Sequence, residues 1–321
     1  MSDPKPTITL RKLIWPLAQL VIGLGLFVVC MWWAIPSWEE FTDKLELSAG
    51  FLLLSCAGSL MATFVGAARW KMLSETMGVG EIRYGAYFHY MALTRVLGQI
   101  LPGALVELVG RGTALRVAGS RSAFGNLLAP VLIERIFDLL LPLCLFFWAI
   151  AVHFGPGTGS LGPWGSLALV VVVFAVLGIV LLRPMVAASS WALTKYRTWR
   201  GKAVHEFPVP EHVPPKLSVW VMVFSIIRFA GILVQYWGAG VGFGVTLAAL
   251  TLVSAAPLAQ LAAMVGITPG GLGIQEGGWV AALQSLGEDP AAIAVFMTGT
   301  RVTMLASFAL FSAASWPWRK A

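Results

Sequence analysis

Glu134, Arg135 and Asp138 stand together inside an otherwise apolar run, Leu132-Ile133-Glu134-Arg135-Ile136-Phe137-Asp138. Residues four apart share a helix face, so the two carboxylates align with the arginine beside them. Arg95, Glu107, Arg111, Arg228, Glu276 and Arg301 also interrupt apolar stretches and extend the set over most of the chain. A charge near the middle of a membrane helix costs about 2.5–3.5 kcal/mol, so it persists where it meets a partner or a wet cavity. In this set the cations outnumber the anions, which suits a phosphate-bearing ligand. Arginine is the fitting residue because its planar fork matches phosphate oxygens. The competing reading is that these charges neutralise one another and pin helices together.

Two breaks in the apolar pattern would have to position them. Thr268-Pro269-Gly270-Gly271-Leu272-Gly273-Ile274-Gln275-Glu276 removes a backbone donor at Pro269 and allows positive φ at its glycines, so no regular helix runs through it. Glu276 falls where a new helix begins, and that helix would aim its positive end into the break. A weaker copy, Leu101-Pro102-Gly103-Ala104-Leu105-Val106-Glu107, lies 167 residues earlier. Paired Pro/Gly-interrupted hydrophobic segments point to a transporter's binding site, with Pro269, Gly270 and Gly271 lining it. The alternative is a pair of tight loops at the membrane surface. Non-helical backbone at membrane depth must be buried in protein or line a cavity.

With 58% hydrophobic and 12% charged residues the chain is far from a soluble domain, where roughly a quarter of residues are charged. The fold class expected is an all-α polytopic membrane protein with about seven or eight spans and pseudo-repeat halves. The net charge of +7 does not imply nucleic acid, since the basic residues fall mainly in short loops. Cys30, Cys56 and Cys144 lie within apolar blocks and read as packing residues. Leu13–Ile35 is too long for a signal-peptide core and reads as a retained span.

Arg11 and Lys12 precede that span and the acidic loop Glu39, Glu40, Asp43, Glu46 follows it, which places the N-terminus in the cytoplasm of a cell (inner or plasma) membrane. The expected organisation is one integral membrane domain over 1–321. A first half (10–182) carries the interrupted segment 84–118, a basic cytoplasmic loop covers 183–216, and a second half (217–316) carries the interrupted segment 268–288. Ser48–Ala67 crosses back, with Arg69, Lys71 and Arg83 marking the inner side. Tyr84–Ala118 is basic at both flanks and reads as re-entrant, turning at Pro102-Gly103. Gly238–Gly244 reads as a tight outer turn and Val245–Ile267 as a crossing. Asp289-Pro290 reads as cap and first residue of a last span containing Arg301. If both interrupted segments were re-entrant, the C-terminus would lie outside, against Arg319 and Lys320. A broken crossing over 268–288 removes that conflict, and parallel and inverted repeats both stay open.

His205-Glu206 and Glu211-His212 in the basic loop read as a solvated turn rather than a metal site. No zincin helix, nucleophile elbow or phosphate loop occurs, so no cofactor is expected, nor is classical hydrolysis or nucleotide-driven pumping.

The segments Leu101-Pro102-Gly103 through Arg111, Glu134-Arg135-Ile136-Phe137-Asp138, and Thr268 through Glu276, with the span around Arg301, resemble the transmembrane region of the lysylphosphatidylglycerol synthase family, also called the flippase-like membrane domain family. The resemblance covers about residues 10–315. It implies an all-helical fold with re-entrant elements and movement of a lipid between leaflets, with Arg111, Glu134, Arg135, Asp138, Glu276 and Arg301 along the route. The first motif differs from the family pattern, since Val106 precedes Glu107 where glycine is common. A cytosolic aminoacyl-transferring domain does not follow, so a transporter is expected rather than an aminoacyltransferase. Its partners would be membrane phospholipids or polyprenyl-phosphate lipids, with a homo-oligomer open. The alternative is an embedded enzyme or an accessory subunit acting on a lipid-linked substrate.

Overall fold

The computed structural model describes residues 10–34, 38–101, 103, 106–122, 124–155, 159–199, 214–265 and 268–319. Pro102 and the His/Glu pairs at 205–206 and 211–212 lie outside them, as do the side chains of Arg11 and Lys12. Every regular element among the described residues is helical. The helices are α1 (Leu10–Ala34), α2 (Trp38–Asp43), α3 (Ala49–Thr76), α4 (Tyr84–Ile100), α5 (Arg111–Val117) and α6 (Phe124–Phe154). They continue as α7 (Gly162–Trp199), α8 (Pro215–Gly242), α9 (Ala249–Met264), α10 (Ile274–Ser285) and α11 (Pro290–Ala314). A π-helical turn, Val106–Gly110, leads into α5. Five helices (α3, α6, α7, α8 and α11) are long and apolar enough to cross a membrane, and Val21–Trp32 within α1 is a shorter apolar stretch.

Two ends of the bundle can be told apart by contacts between loops. At one end Ser48 N–H donates to Gly242 O (2.9 Å), Glu46 N–H donates to Phe243 O (3.3 Å), and Lys44 pairs with Asp289 at 2.5 Å. At the other, the Ser120 and Ser122 hydroxyls donate to the carbonyls of Val79 and Gly78, both at 2.8 Å, and His89 Nδ1 meets Ser315 Oγ at 3.0 Å. The first end carries Glu39, Glu40, Asp43, Glu46, Glu288 and Asp289. The second carries Arg83, Arg121 and Arg319.

This arrangement corrects four expectations. Helix α9 has only 16 residues and stops partway through the bundle, so 245–267 is not a crossing. Helix α10 then packs antiparallel on α9: a Cβ on Gly271 would stand 3.0 Å from Ala263 Cα, and one on Gly278 2.9 Å from Ala259 Cα. The chain therefore returns at Asp289 to the end it left at Val245, and 268–288 is not a broken crossing. Once α9 and α10 count as one hairpin, α11 runs to the basic end and the conflict over the C-terminus disappears.

The glycines Gly238–Gly242 belong to α8 rather than to a turn. They let α8 lie backbone to backbone on α3. A Cβ on Gly238 would sit 2.6 Å from Ser55 N, and one on Gly58 2.5 Å from Gln235 N. Close approach through small residues is how helices associate where lipid removes the hydrophobic drive. Finally, the basic stretch from Arg183 is helical to Trp199, because Pro184 is carried inside α7.

The two sequence halves are interleaved. Besides α3 on α8, α4 packs on α11 and α6 on α9. Trp279 is the hub of one apolar core, edge-on to Tyr236 and Phe296 at centroid distances of 5.0 and 4.9 Å. Trp70 anchors another against Tyr87 at 4.9 Å. Ile133, Phe137 and Phe174 fill a third. These cores leave a cavity between them, lined by both charged and apolar side chains.

Candidate functional site

Both interrupted segments end at that space. The first folds back as a hairpin: a Cβ on Gly98 of α4 would lie 3.7 Å from Gly103, and one on Gly110 3.5 Å from Thr94 Cγ2. The π turn inserts an extra residue per turn at Val106–Gly110, and such turns are frequent at functional sites. It leaves Glu107 at the cavity while Arg111, four residues on, is 97% buried. The second hairpin turns through Thr268–Gly273, where Gly270, Gly271 and Gly273 adopt φ of +58°, +68° and +78°. L-residues with a Cβ pay for such angles, so the glycines are required there. Helix α1 closes over this tip, since a Cβ on Gly273 would come within 2.8 Å of Phe27 N.

Glu276 is third in α10. Its Oε2 accepts from Gly273 N–H at 2.7 Å, which caps the helix. Its Oε1 takes the Arg301 guanidinium, whose Nε stands at 2.9 Å. Arg301 Nη1 reaches further, donating to Gln99 Oε1 (2.9 Å) and to Gly270 O (3.1 Å). One arginine thus ties the tips of both hairpins.

The other charges form a network around α6. Glu134, 1% exposed, accepts from Arg69 Nε (3.1 Å) and Arg111 Nη1 (2.8 Å). Asp138 Oδ1 accepts from Arg69 Nη2 (2.7 Å) and Arg228 Nη1 (2.5 Å). Glu134 and Asp138 do share a face, and Arg69 bridges them. Arg135 turns the other way, to Glu107. Pro142 lies four residues after Asp138 and cannot donate to its carbonyl, so α6 is weakened on the side where the network sits.

A cavity of about 380 Å³ opens between the hairpins, α6, α8 and α11. Of the residues singled out in the sequence, Arg95, Glu107, Arg135, Asp138, Arg228, Gly270 and Gly271 line it. Arg111, Glu134, Glu276 and Arg301 stand behind its wall and hold those that do, and Pro269 shapes the turn beside it. Arg228 is 13 residues into α8, roughly 20 Å along a helix at 1.5 Å per residue, so the cavity lies near mid-bundle. Leu139, also on its wall, is 44% exposed.

Arg69 corrects the sequence reading most. It is not an inner-face marker but 1% exposed, held by two carboxylates and by Ser225 Oγ at 2.8 Å. The signal for it was α3 continuing with an unbroken helical pattern to Thr76. Gln235, Gln260, Gln275, Tyr236 and Thr268 also line the cavity and were not singled out as site residues, because neutral polar residues in apolar helices carry little pattern of their own.

A polytopic helical bundle with paired charges around an internal cavity defines a multi-pass membrane protein. The profile of the lysylphosphatidylglycerol synthase TM region matches residues 20–312, and the chain belongs to that family. It is similar to the UPF0104 membrane protein PH1989 of Pyrococcus horikoshii, 24% identical over 291 residues, which cover 80% of this chain and 83% of the relative. No solved structure matches.

Proposed function

We propose that the protein is a lipid flippase-like transporter that takes a phospholipid or lipid-linked phosphate headgroup into the cavity and passes it between leaflets. The observation that carries this reading is the charge on the site. Six arginines (69, 95, 111, 135, 228 and 301) face four carboxylates (Glu107, Glu134, Asp138 and Glu276) in and around one cavity. The excess of positive charge at depth is offset when an anion enters. Acyl tails would stay in lipid, beside Leu139, while the phosphate met Arg95 and Arg228.

In this reading α4 with α5 enters the membrane from the basic end, and α9 with α10 enters from the acidic end. Both are re-entrant, from opposite faces. The basic end is cytoplasmic by the positive-inside rule, which puts the C-terminus there. Opposed hairpins meeting at the midplane are the arrangement expected of inverted repeats, where one site is exposed alternately to either side. A transporter is favoured over an enzyme because Asp138, which lines the cavity, accepts from both Arg69 and Arg228 and is not set to take a proton from substrate.

The test is headgroup translocation in liposomes of anionic lipid, comparing the wild-type protein with Arg228→Gln. The variant should flip at least about tenfold more slowly, the equivalent of losing one charge-assisted contact of roughly 1.4 kcal/mol. Equal rates would refute the assignment, and release of a chemically new lipid would favour an enzyme.

A further inference from the structure

The cavity has two unlike walls. Arg95, Arg135 and Arg228 form the first, and Gln235, Gln260, Gln275, Tyr236 and Thr268 the second. On the first wall Arg228 is paired with Asp138, and Arg135 with Glu107. Arg95 has no carboxylate within ion-pair distance among the described residues and rests against the Phe308 ring at 4.9 Å. Asp138 already answers two guanidiniums on one oxygen, and Glu107, whose Oε2 makes no hydrogen bond, lies beside Arg135 with Arg111 4.0 Å away. An entering ammonium would meet a carboxylate already outweighed by cations a few ångströms behind it, and Arg95 in front. Like charges at such distances in a low-dielectric site are strongly unfavourable.

The second wall is neutral and incompletely used. Gln260 Nε2 and Thr268 Oγ1 are buried without a hydrogen-bond partner, and Thr268 is 0% exposed. Gln275 Nε2 donates to the Tyr236 hydroxyl at 3.1 Å, which leaves its own carbonyl oxygen available. Buried polar atoms left unpaired cost free energy, and a ligand bearing hydroxyls would satisfy them. Side-chain amides offer a donor and an acceptor together, which suits a hydroxyl.

We infer that the cavity selects an anionic phosphate ester whose headgroup carries hydroxyls, as in phosphatidylglycerol, phosphatidylinositol or a sugar-phosphate lipid, and rejects headgroups bearing an amine. The phosphate takes Arg95 and Arg228, and the hydroxyls take Gln260, Gln275 and Thr268. This rests on the headgroup reading above and narrows it. It also separates this chain from the aminoacylated lipid in its family's name, whose added lysine is cationic.

The experiment is native mass spectrometry of the purified full chain with equal amounts of phosphatidylglycerol, phosphatidylinositol, phosphatidylethanolamine and lysylphosphatidylglycerol, and with water-soluble glycerol phosphate as competitor. Phosphatidylglycerol and phosphatidylinositol should be retained about tenfold or more over the two amine lipids. Arg95→Gln should remove that preference without loss of folding, since it deletes an unpaired charge. Gln260→Glu places a carboxylate on the neutral wall and should shift retention toward the amine lipids. Amine lipids held as well as phosphatidylglycerol by the wild-type protein would overturn the selectivity and leave the headgroup site standing. Retention of every lipid unchanged by either substitution would overturn the headgroup site itself. Displacement of bound lipid by glycerol phosphate at equal concentration would overturn the lipid assignment and give the site to soluble phosphate esters.

Discussion

Replacing Glu134 by glutamine tests whether the α6 network is held together as buried ion pairs. Glu134 is joined to Arg69 and Arg111, and the three side chains are at most 3% exposed, so solvent screening does not reduce the interaction. Glutamine keeps the shape and one acceptor but removes the charge. Arg69 retains Asp138 and Ser225, whereas Arg111 is left with Glu107 at 4.0 Å as its nearest carboxylate. Leaving one member of a buried pair uncompensated costs about 3–5 kcal/mol. At about 2–4 °C per kcal/mol for a large domain, the thermal midpoint in detergent should fall by roughly 6–20 °C. Removing the stranded cation as well, in Glu134→Gln/Arg111→Met, should recover about 1–3 kcal/mol of that loss, the coupling expected of neighbours in one network. Tryptophan fluorescence during heating reads both, since Trp70 stacks under Arg111 at 5.4 Å. A single variant within about 1 kcal/mol of wild type, or a double variant as poor as the sum of its parts, would refute a buried, mutually dependent network.

Three further outcomes follow from other parts of the structure. Gly58→Val should separate α3 from α8, because its side chain would strike the Gln235 backbone. Overpacking costs typically about 1–3 kcal/mol, and thermal unfolding should show at least that, while Gly25→Ala, with nothing within 4 Å, should leave the midpoint unchanged or slightly raised. Gly270→Ala combines a positive φ with a clash against Gln99, which shares Arg301 with the Gly270 carbonyl. It should slow translocation in liposomes about tenfold or more, and wild-type rates would show that the join between hairpin tips is dispensable. Hydrogen bonds from Lys44 and then from Ala292 N–H hold the Asp289 carboxyl below the usual carboxylate range. A depressed folded-state value gives stability that is present above the unfolded value of about 3.9 and is lost as pH falls through the folded one. Asp289→Asn keeps the cap and should lower the midpoint slightly at neutral pH, with the gap closing below about pH 4 and in high salt. A gap independent of pH would remove the ion pair from the account.

Much of the fold could be read in the sequence because a membrane imposes a strong pattern. Long apolar blocks located α3, α6, α7, α8 and α11, and Asp289-Pro290 fixed the start of α11 through cap chemistry that depends only on neighbouring residues. Where the reading failed, apolarity was taken as a proxy for depth. Val245–Ile267 is apolar enough to cross, yet its helix runs only from Ala249 to Met264. The half of the hairpin that follows replaces lipid with protein as its neighbour. Gly238 and Gly242 failed for a related reason. A glycine that closes a turn and one that admits a second helix look alike until the partner, here Ser55 or Leu52, is known.

The charged residues show where sequence reasoning reaches its limit. Their cost in an apolar helix makes Glu134, Asp138, Arg228 and Arg301 conspicuous, but the sequence cannot say which of them faces a partner and which faces a cavity. Arg111 and Arg95 illustrate the difference. Both flank the first break and carry the same charge, yet Arg111 is locked against Glu134 behind the wall while Arg95 stands in the cavity with no carboxylate paired to it among the described residues. Spacing along one helix cannot distinguish them, because the deciding partner lies on α6 and the cavity is closed by α8 and α11. Arg69 was hidden for the opposite reason, since a basic residue near a span's end resembles an ordinary inner-face anchor. Its two carboxylate partners are 65 and 69 residues away. The proposed contrast between cationic and amide residues therefore emerges only from packing, where glutamines from α8, α9 and α10 line the same cavity as arginines from α4, α6 and α8.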